Sequence, residues 1–158
     1  MRIKFFAPVV LLVAGGLALS ACSKPAVAAT SDDARSITGT WTVTVHPNGQ
    51  PAFQSTITFT TAGGVLEATS KAAPPGTTSM TGGIGSWTRA GAGHLSTHFL
   101  KYRFDNAGKY IGTTDITEDD LVDASGNSYT GNATTKLTDT NGTVLQSFTS
   151  TSNGVRMS

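Results

Sequence analysis

The sequence predicts an all-β protein, an eight-stranded antiparallel up-and-down barrel, and three observations carry that expectation. Threonine fills 26 of the 158 positions. Most fall in alternating runs such as Thr40-Trp41-Thr42-Val43-Thr44-Val45, and branched residues suit the pleated surface of a strand. No window of about 11 residues carries the 3.6-residue apolar period of an amphipathic helix. Turn-forming clusters recur at short, steady intervals and leave strand-length segments between them.

Taken in order, the first strand spans 39–46 and stops at Pro47-Asn48-Gly49. The second, 53–61, runs into Ala62-Gly63-Gly64, and the third spans 64–71. The stretch 72–83 contains Pro74, Pro75 and several glycines, and is read as a longer connection over one barrel end. Strands at 84–90 and 94–105 flank Gly91-Ala92-Gly93. Asp105-Asn106-Ala107-Gly108 then turns the chain into 109–118, and Ser125-Gly126-Asn127 into 127–138. Asn141-Gly142 precedes the last strand, 143–156. These turns supply prolines or residues tolerant of positive φ. Short links join neighbours, and a meander of eight strands closes readily around an interior that is either filled or holds one small ligand.

Upstream of the barrel the chain reads as an address. Arg2 and Lys4 precede an apolar stretch, 5–19, that is too short for a bilayer core of about 30 Å, which takes roughly 20 helical residues. Leu19-Ser20-Ala21-Cys22 resembles the lipobox of bacterial lipoproteins. An ordinary signal cut near Ala26-Val27-Ala28 is the alternative. The resemblance implies acylation of Cys22 and a location in the bacterial cell envelope, anchored by chains contributing about 0.8 kcal/mol per buried CH₂. Ser23, where an Asp tends to retain lipoproteins at the inner membrane, points to the periplasmic face of the outer membrane in a Gram-negative cell. The expected organisation is a signal at 1–21, the lipidated cysteine and a flexible tether at 22–36, and a barrel domain at 37–158. A 13-residue coil from Lys24 to Ser36 reaches about 20 Å.

Composition narrows the function classes. Without Arg2 and Lys4, nine cationic residues face ten acidic ones, so no basic surface for nucleic acid is expected. Cys22 is the only cysteine, which rules out an intramolecular disulfide. His94 and His98 share a strand face about 13 Å apart at 3.3 Å per residue, too far for one metal ion, and no metal or cofactor is expected. Asp115, Glu118, Asp119, Asp120 and Asp123 lack the order of a calcium loop and are read as a solvated loop. No nucleophile or phosphate-loop motif is present, so no residue is assigned as catalytic.

Several residues are candidates for the wall of an interior cavity. On 94–105, Ser96, His98, Leu100, Tyr102 and Phe104 are expected to point inward, and Thr97, Lys101 and Arg103 outward. His98 and Tyr102 would then either hold a ligand's polar group or be a satisfied core pair. Trp87 and Tyr129 are further inward candidates. Glu67, between Leu66 and Ala68, is the lone acid of an apolar strand. Inward, burial would raise its pKa; outward, it is an ordinary surface acid.

Two resemblances bear on the barrel. Gly39-Thr40-Trp41, after a short lead-in from Asp32 to Ile37, resembles the Gly-x-Trp motif of lipocalins and related calycin barrels. It implies that an arginine of the last strand, here Arg156, packs across Trp41 and closes the barrel bottom through a cation–π contact of about 0.5–2 kcal/mol. Tyr102 to Gly112, with its Asp-x-x-Gly turn, is similar to a hairpin of allene oxide cyclase-like barrels, which include isomerases, cyclases and non-catalytic relatives. The whole sequence also resembles a group of uncharacterised bacterial small-barrel proteins.

The expected function is a membrane-tethered barrel that binds a small apolar ligand. An isomerase or cyclase using His98, Tyr102 and Glu67 as polar groups is the alternative, as is a structural envelope role. A cavity of roughly 300 Å³ or more with convergent polar groups would favour the first two, and a solid interior would exclude them. The oligomeric state is not legible in the sequence.

Overall fold

In the computed structural model, residues 35–70 and 79–158 are described. The signal segment, Cys22 and nearly all of the tether lie outside the described residues, as does 71–78 of the long connection. The strands are β1 (Gly39–Pro47), β2 (Phe53–Phe59), β3 (Gly64–Thr69), β4 (Ser79–Met80), β5 (Gly83–Arg89), β6 (His94–Phe104), β7 (Tyr110–Val122), β8 (Ser128–Thr138) and β9 (Val144–Arg156). Among the described residues there is no helix.

Eight of these strands form a closed antiparallel ring with up-and-down connectivity. Each pairs with its neighbour in sequence, and β9 returns to β1, Trp41 facing Arg156 and Val45 facing Ser152. The short β4 prolongs the ring beside β6, where Ser79 pairs with Phe104 and Met80 with Arg103, beyond the end of β5. It falls within the stretch expected to be a connection only. β7 likewise runs on to Val122 rather than stopping at 118.

The last three hairpins share one repeated turn. Asp105, Asp123 and Asp139 each stand three residues before a glycine with positive φ: Gly108 (75°), Gly126 (72°) and Gly142 (83°). At two of them the carboxylate accepts from the backbone N–H groups two and four residues on, at 2.8–2.9 Å. Asp123 accepts instead from the Ser125 hydroxyl at 2.9 Å and from the Asn127 amide at 3.2 Å. Such short polar side chains mimic a backbone turn, and glycine takes the left-handed position without steric cost. The Asp-x-x-Gly at 105–108 is thus one of three copies of the same turn in this chain.

Side chains alternate between lumen and solvent as the pleat requires. Ile37, Trp41, Phe59, Val65, Leu95, Val122 and Tyr129 fill one pole. The Trp41 indole N–H donates to the Ile37 carbonyl at 2.7 Å, and Tyr129 meets Trp41 edge-on, 5.1 Å between ring centroids. Arg156 seals this floor. Its guanidinium lies 4.2 Å from the Trp41 ring centroid and donates to the carbonyls of Thr38 and Ser36 at 2.6 Å and of Gly126 at 2.8 Å. Gly39, at φ 130°, leaves the room Arg156 needs, since a Cβ there would stand 2.6 Å from Nη1. The opposite pole, ringed by the β1–β2, β6–β7 and β8–β9 turns, is the mouth.

Candidate functional site

The mouth half of the lumen is hollow. A cavity of about 100 Å³ reaches down from Pro47, Met80 and Leu137 to a base near Val43, Ile116 and Glu118. It is smaller than the 300 Å³ expected of a ligand pocket of ordinary size, yet larger than a single water needs. Its wall is mostly apolar, interrupted by two polar insets.

The first inset joins β2, β3 and β6. Glu67 points inward and is 7% exposed. The Lys101 ammonium lies 2.8 Å from its Oε1 and 2.7 Å from its Oε2, and the Ser55 hydroxyl donates to Oε1 at 2.5 Å. Gly83 stands between β3 and β6 in this row, and a Cβ there would crowd Phe99 and Glu67. The absent side chain is what lets the two long ones meet across β5. A buried ion pair of this kind gains little over an apolar pair, but losing one partner strands the other.

The second inset is acidic and comes from the stretch expected to be a solvated loop. Because β7 continues through it, Ile116, Glu118, Asp120 and Val122 all point inward while Thr117, Asp119 and Leu121 are exposed. Glu118 accepts a hydrogen bond from Ser152, and Asp120 accepts one from Thr97 at 2.8 Å. One oxygen each of Glu118, Asp120 and Ser152 lies within 2.6 Å of the point where Gly131 would carry a Cβ. Burial pushes the Asp120 carboxyl up to about 8, helped by the neighbouring Glu118 charge, and burial raises Glu118 as well. The Tyr129 phenol is raised by burial and by both carboxylates. Among the described residues, Asp120 Oδ1 and Tyr129 Oη have no hydrogen-bond partner.

The five cavity candidates separate accordingly. Glu67 lines the cavity, and Tyr129 is buried, packed against Trp41 and Phe59 at the closed pole. Trp87 is half-buried and its indole donates to the Thr60 carbonyl at 2.9 Å, at the closed pole and away from the cavity. His98 and Tyr102 stand outside, which corrects the face assigned to 94–105. The inward set is Leu95, Thr97, Phe99, Lys101 and Arg103. The His98 side chain is 57% exposed and meets Asp115 at 3.2 Å, while Tyr102 packs edge-on against Tyr110, 5.9 Å between centroids. Two cations can face the lumen because each has partners there: Lys101 has Glu67, and Arg103 donates to the carbonyls of Thr113 and Thr138 at 3.2 and 2.5 Å.

Lys101, Ser55, Glu118, Asp120 and Ser152 are site residues that sequence reasoning missed. The usable signal was the period-two run Ile116-x-Glu118-x-Asp120-x-Val122, which continues a strand across the acidic stretch. No family model matches the chain, and no curated protein matches it.

Proposed function

We propose that this protein is a membrane-tethered barrel that binds a small, largely apolar ligand in its mouth cavity. The observation that carries this reading is the division of the lumen: one half is packed to the floor, and the other keeps a void of about 100 Å³ with an apolar wall and buried polar insets. Packed interiors leave few voids larger than a water. A hollow confined to the accessible pole is what a binding site requires, and its volume limits the occupant to a short chain or a single small ring. The lipobox-like Leu19-Ser20-Ala21-Cys22 supports attachment through Cys22 in the bacterial cell envelope, with Ser23 favouring the outer membrane. The barrel and the Gly39-x-Trp41 floor with Arg156 fit the calycin resemblance. Binding is favoured over isomerisation because His98 and Tyr102 stand outside and Glu67 is held by Lys101.

The test is mass spectrometry of the full chain purified from its native membrane, beside an Ala133→Phe variant that fills the void. Wild type is expected to release a small molecule that the variant lacks. An empty wild-type chain would overturn the binding reading and leave a structural envelope role. Cys22→Ala is expected to move the protein from the membrane fraction to the soluble one.

A further inference from the structure

The two polar insets differ in their charge balance. Glu67 is neutralised by the Lys101 ammonium, which sits within 2.8 Å of both its oxygens. Glu118 also lines the cavity, and Asp120 lies beside it on the same face of β7. Among the described residues, no cationic side chain pairs with either. Among the described residues, their side-chain partners are the hydroxyls of Ser152 and Thr97. Tyr129, 2% exposed, stands close enough for its phenol to feel both acids, and among the described residues neither its hydroxyl nor Asp120 Oδ1 has a hydrogen-bond partner. A buried phenol and a buried carboxylate are each costly to leave unsatisfied. With no cation beside them, burial holds these two acids toward their protonated forms, and a bound cation would let Glu118 ionise and stay paired. An alkyl wall above it needs an apolar tail.

We propose that the cavity takes a small alkylammonium ligand, its ammonium seated on Glu118 at the cavity base and its tail directed toward the mouth. This rests on the binding reading above and gives that site its chemical class. A primary ammonium carries three donors, enough to engage the Glu118 carboxylate at the cavity base with hydrogens to spare for neighbouring acceptors. A carboxylate ligand would bring a negative charge against acids that burial already keeps from ionising, and Lys101 is already engaged by Glu67. An alcohol would supply the tail and a hydrogen bond but no charge.

Hexylamine, hexanol and hexanoate, which share one tail, separate these cases. Each is titrated into the full chain in phospholipid nanodiscs, with empty nanodiscs as the blank, by calorimetry and by amide shifts at Ala133 and Thr135. Hexylamine is expected to bind at least tenfold more tightly than hexanol, and hexanoate more weakly than either. Glu118→Gln should reduce the amine advantage to under threefold and shift hexanol less than twofold, whereas Asp119→Asn, an acid on the outer face of the same strand, should leave the advantage in place. Equal or tighter binding of hexanol or hexanoate would overturn the ammonium assignment while sparing the binding reading. An amine advantage that survives Glu118→Gln would overturn the seat. If none of the three shifts Ala133 or Thr135, both readings fail.

Discussion

At the closed pole Tyr129 meets Trp41 and Phe59 edge to face, with the Arg156 guanidinium over Trp41, and Val65, Leu95 and Val122 add bulk from β3, β6 and β7. At the mouth the same strands carry Pro47, Thr69, Met80 and Leu137 around a void. The difference lies in what fills the space between strands rather than in the strands themselves. The floor is held by interlocked rings, whose burial stabilises strongly and specifically. The mouth is held by backbone pairing and one ion pair, and its interior is left open. A small barrel can keep a hollow if one end alone supplies the packed core.

Variants can break that contrast. The largest expected effect is Trp41→Ala, which removes the centre of the floor and the surface under Arg156, and should cost about 3–5 kcal/mol in urea unfolding. Met80→Ala at the mouth should cost less than about 1 kcal/mol, as expected where contacts are few. Comparable costs would mean that the two poles are packed alike. Lys101→Met strands Glu67 in the lumen and should cost about 3 kcal/mol or more, while adding Glu67→Leu to it should recover most of the loss. A double variant as unstable as the single one would show that the site needs the charges rather than the pairing.

The acidic inset predicts a pH dependence with a defined sign. Asp120 in the folded chain is raised to about 8, and its unfolded value is near the ordinary 3.8. Below about pH 4 both states hold the proton and stability is full. As pH rises from there toward about 8, only the unfolded chain loses the proton, so stability falls, and it levels off above that. Asp120→Asn should flatten this slope and stabilise the protein by about 1–2 kcal/mol at pH 7.5, read as the midpoint of thermal unfolding across pH. A steeper slope in the variant would place the proton elsewhere. The smallest effect is expected for His98→Ala, within about 0.5 kcal/mol and without change in cavity occupancy, because the His98–Asp115 contact is exposed.

The strands were largely legible because their ends are marked by residues with local conformational demands, such as Gly63, Gly108 and Gly142 at positive φ. Facing was legible only where one side of a strand is plainly the more apolar. Along 94–105 both sides carry apolar residues, with Leu95 and Phe99 on one and Leu100 and Phe104 on the other. The choice is settled by Glu67 two strands away and by the Thr113 and Thr138 carbonyls. No window along the chain contains those partners. Glu118 and Asp120 were hidden for a related reason: acids in sequence signal solvent, and their burial follows from the continuation of β7 opposite β8, where Gly131 faces Asp120. The two glycines that make room for the insets, Gly83 and Gly131, mark a site by what they lack.

Arg156 ties the carbonyl of Ser36 to the end of β9, across 120 residues of chain. A polypeptide made from its N-terminus displays β1 long before β9 exists. The edge of β1 that β9 covers, and the indole that Arg156 covers, must wait through the synthesis of almost the whole domain. Each hairpin can form as it emerges, but the ring cannot, because its closing contacts are the most distant in sequence. Completion therefore arrives all at once, with β9. A chain lacking β9 would present seven finished ring strands and two unprotected edges, on β1 and β8, ready to pair with a neighbour.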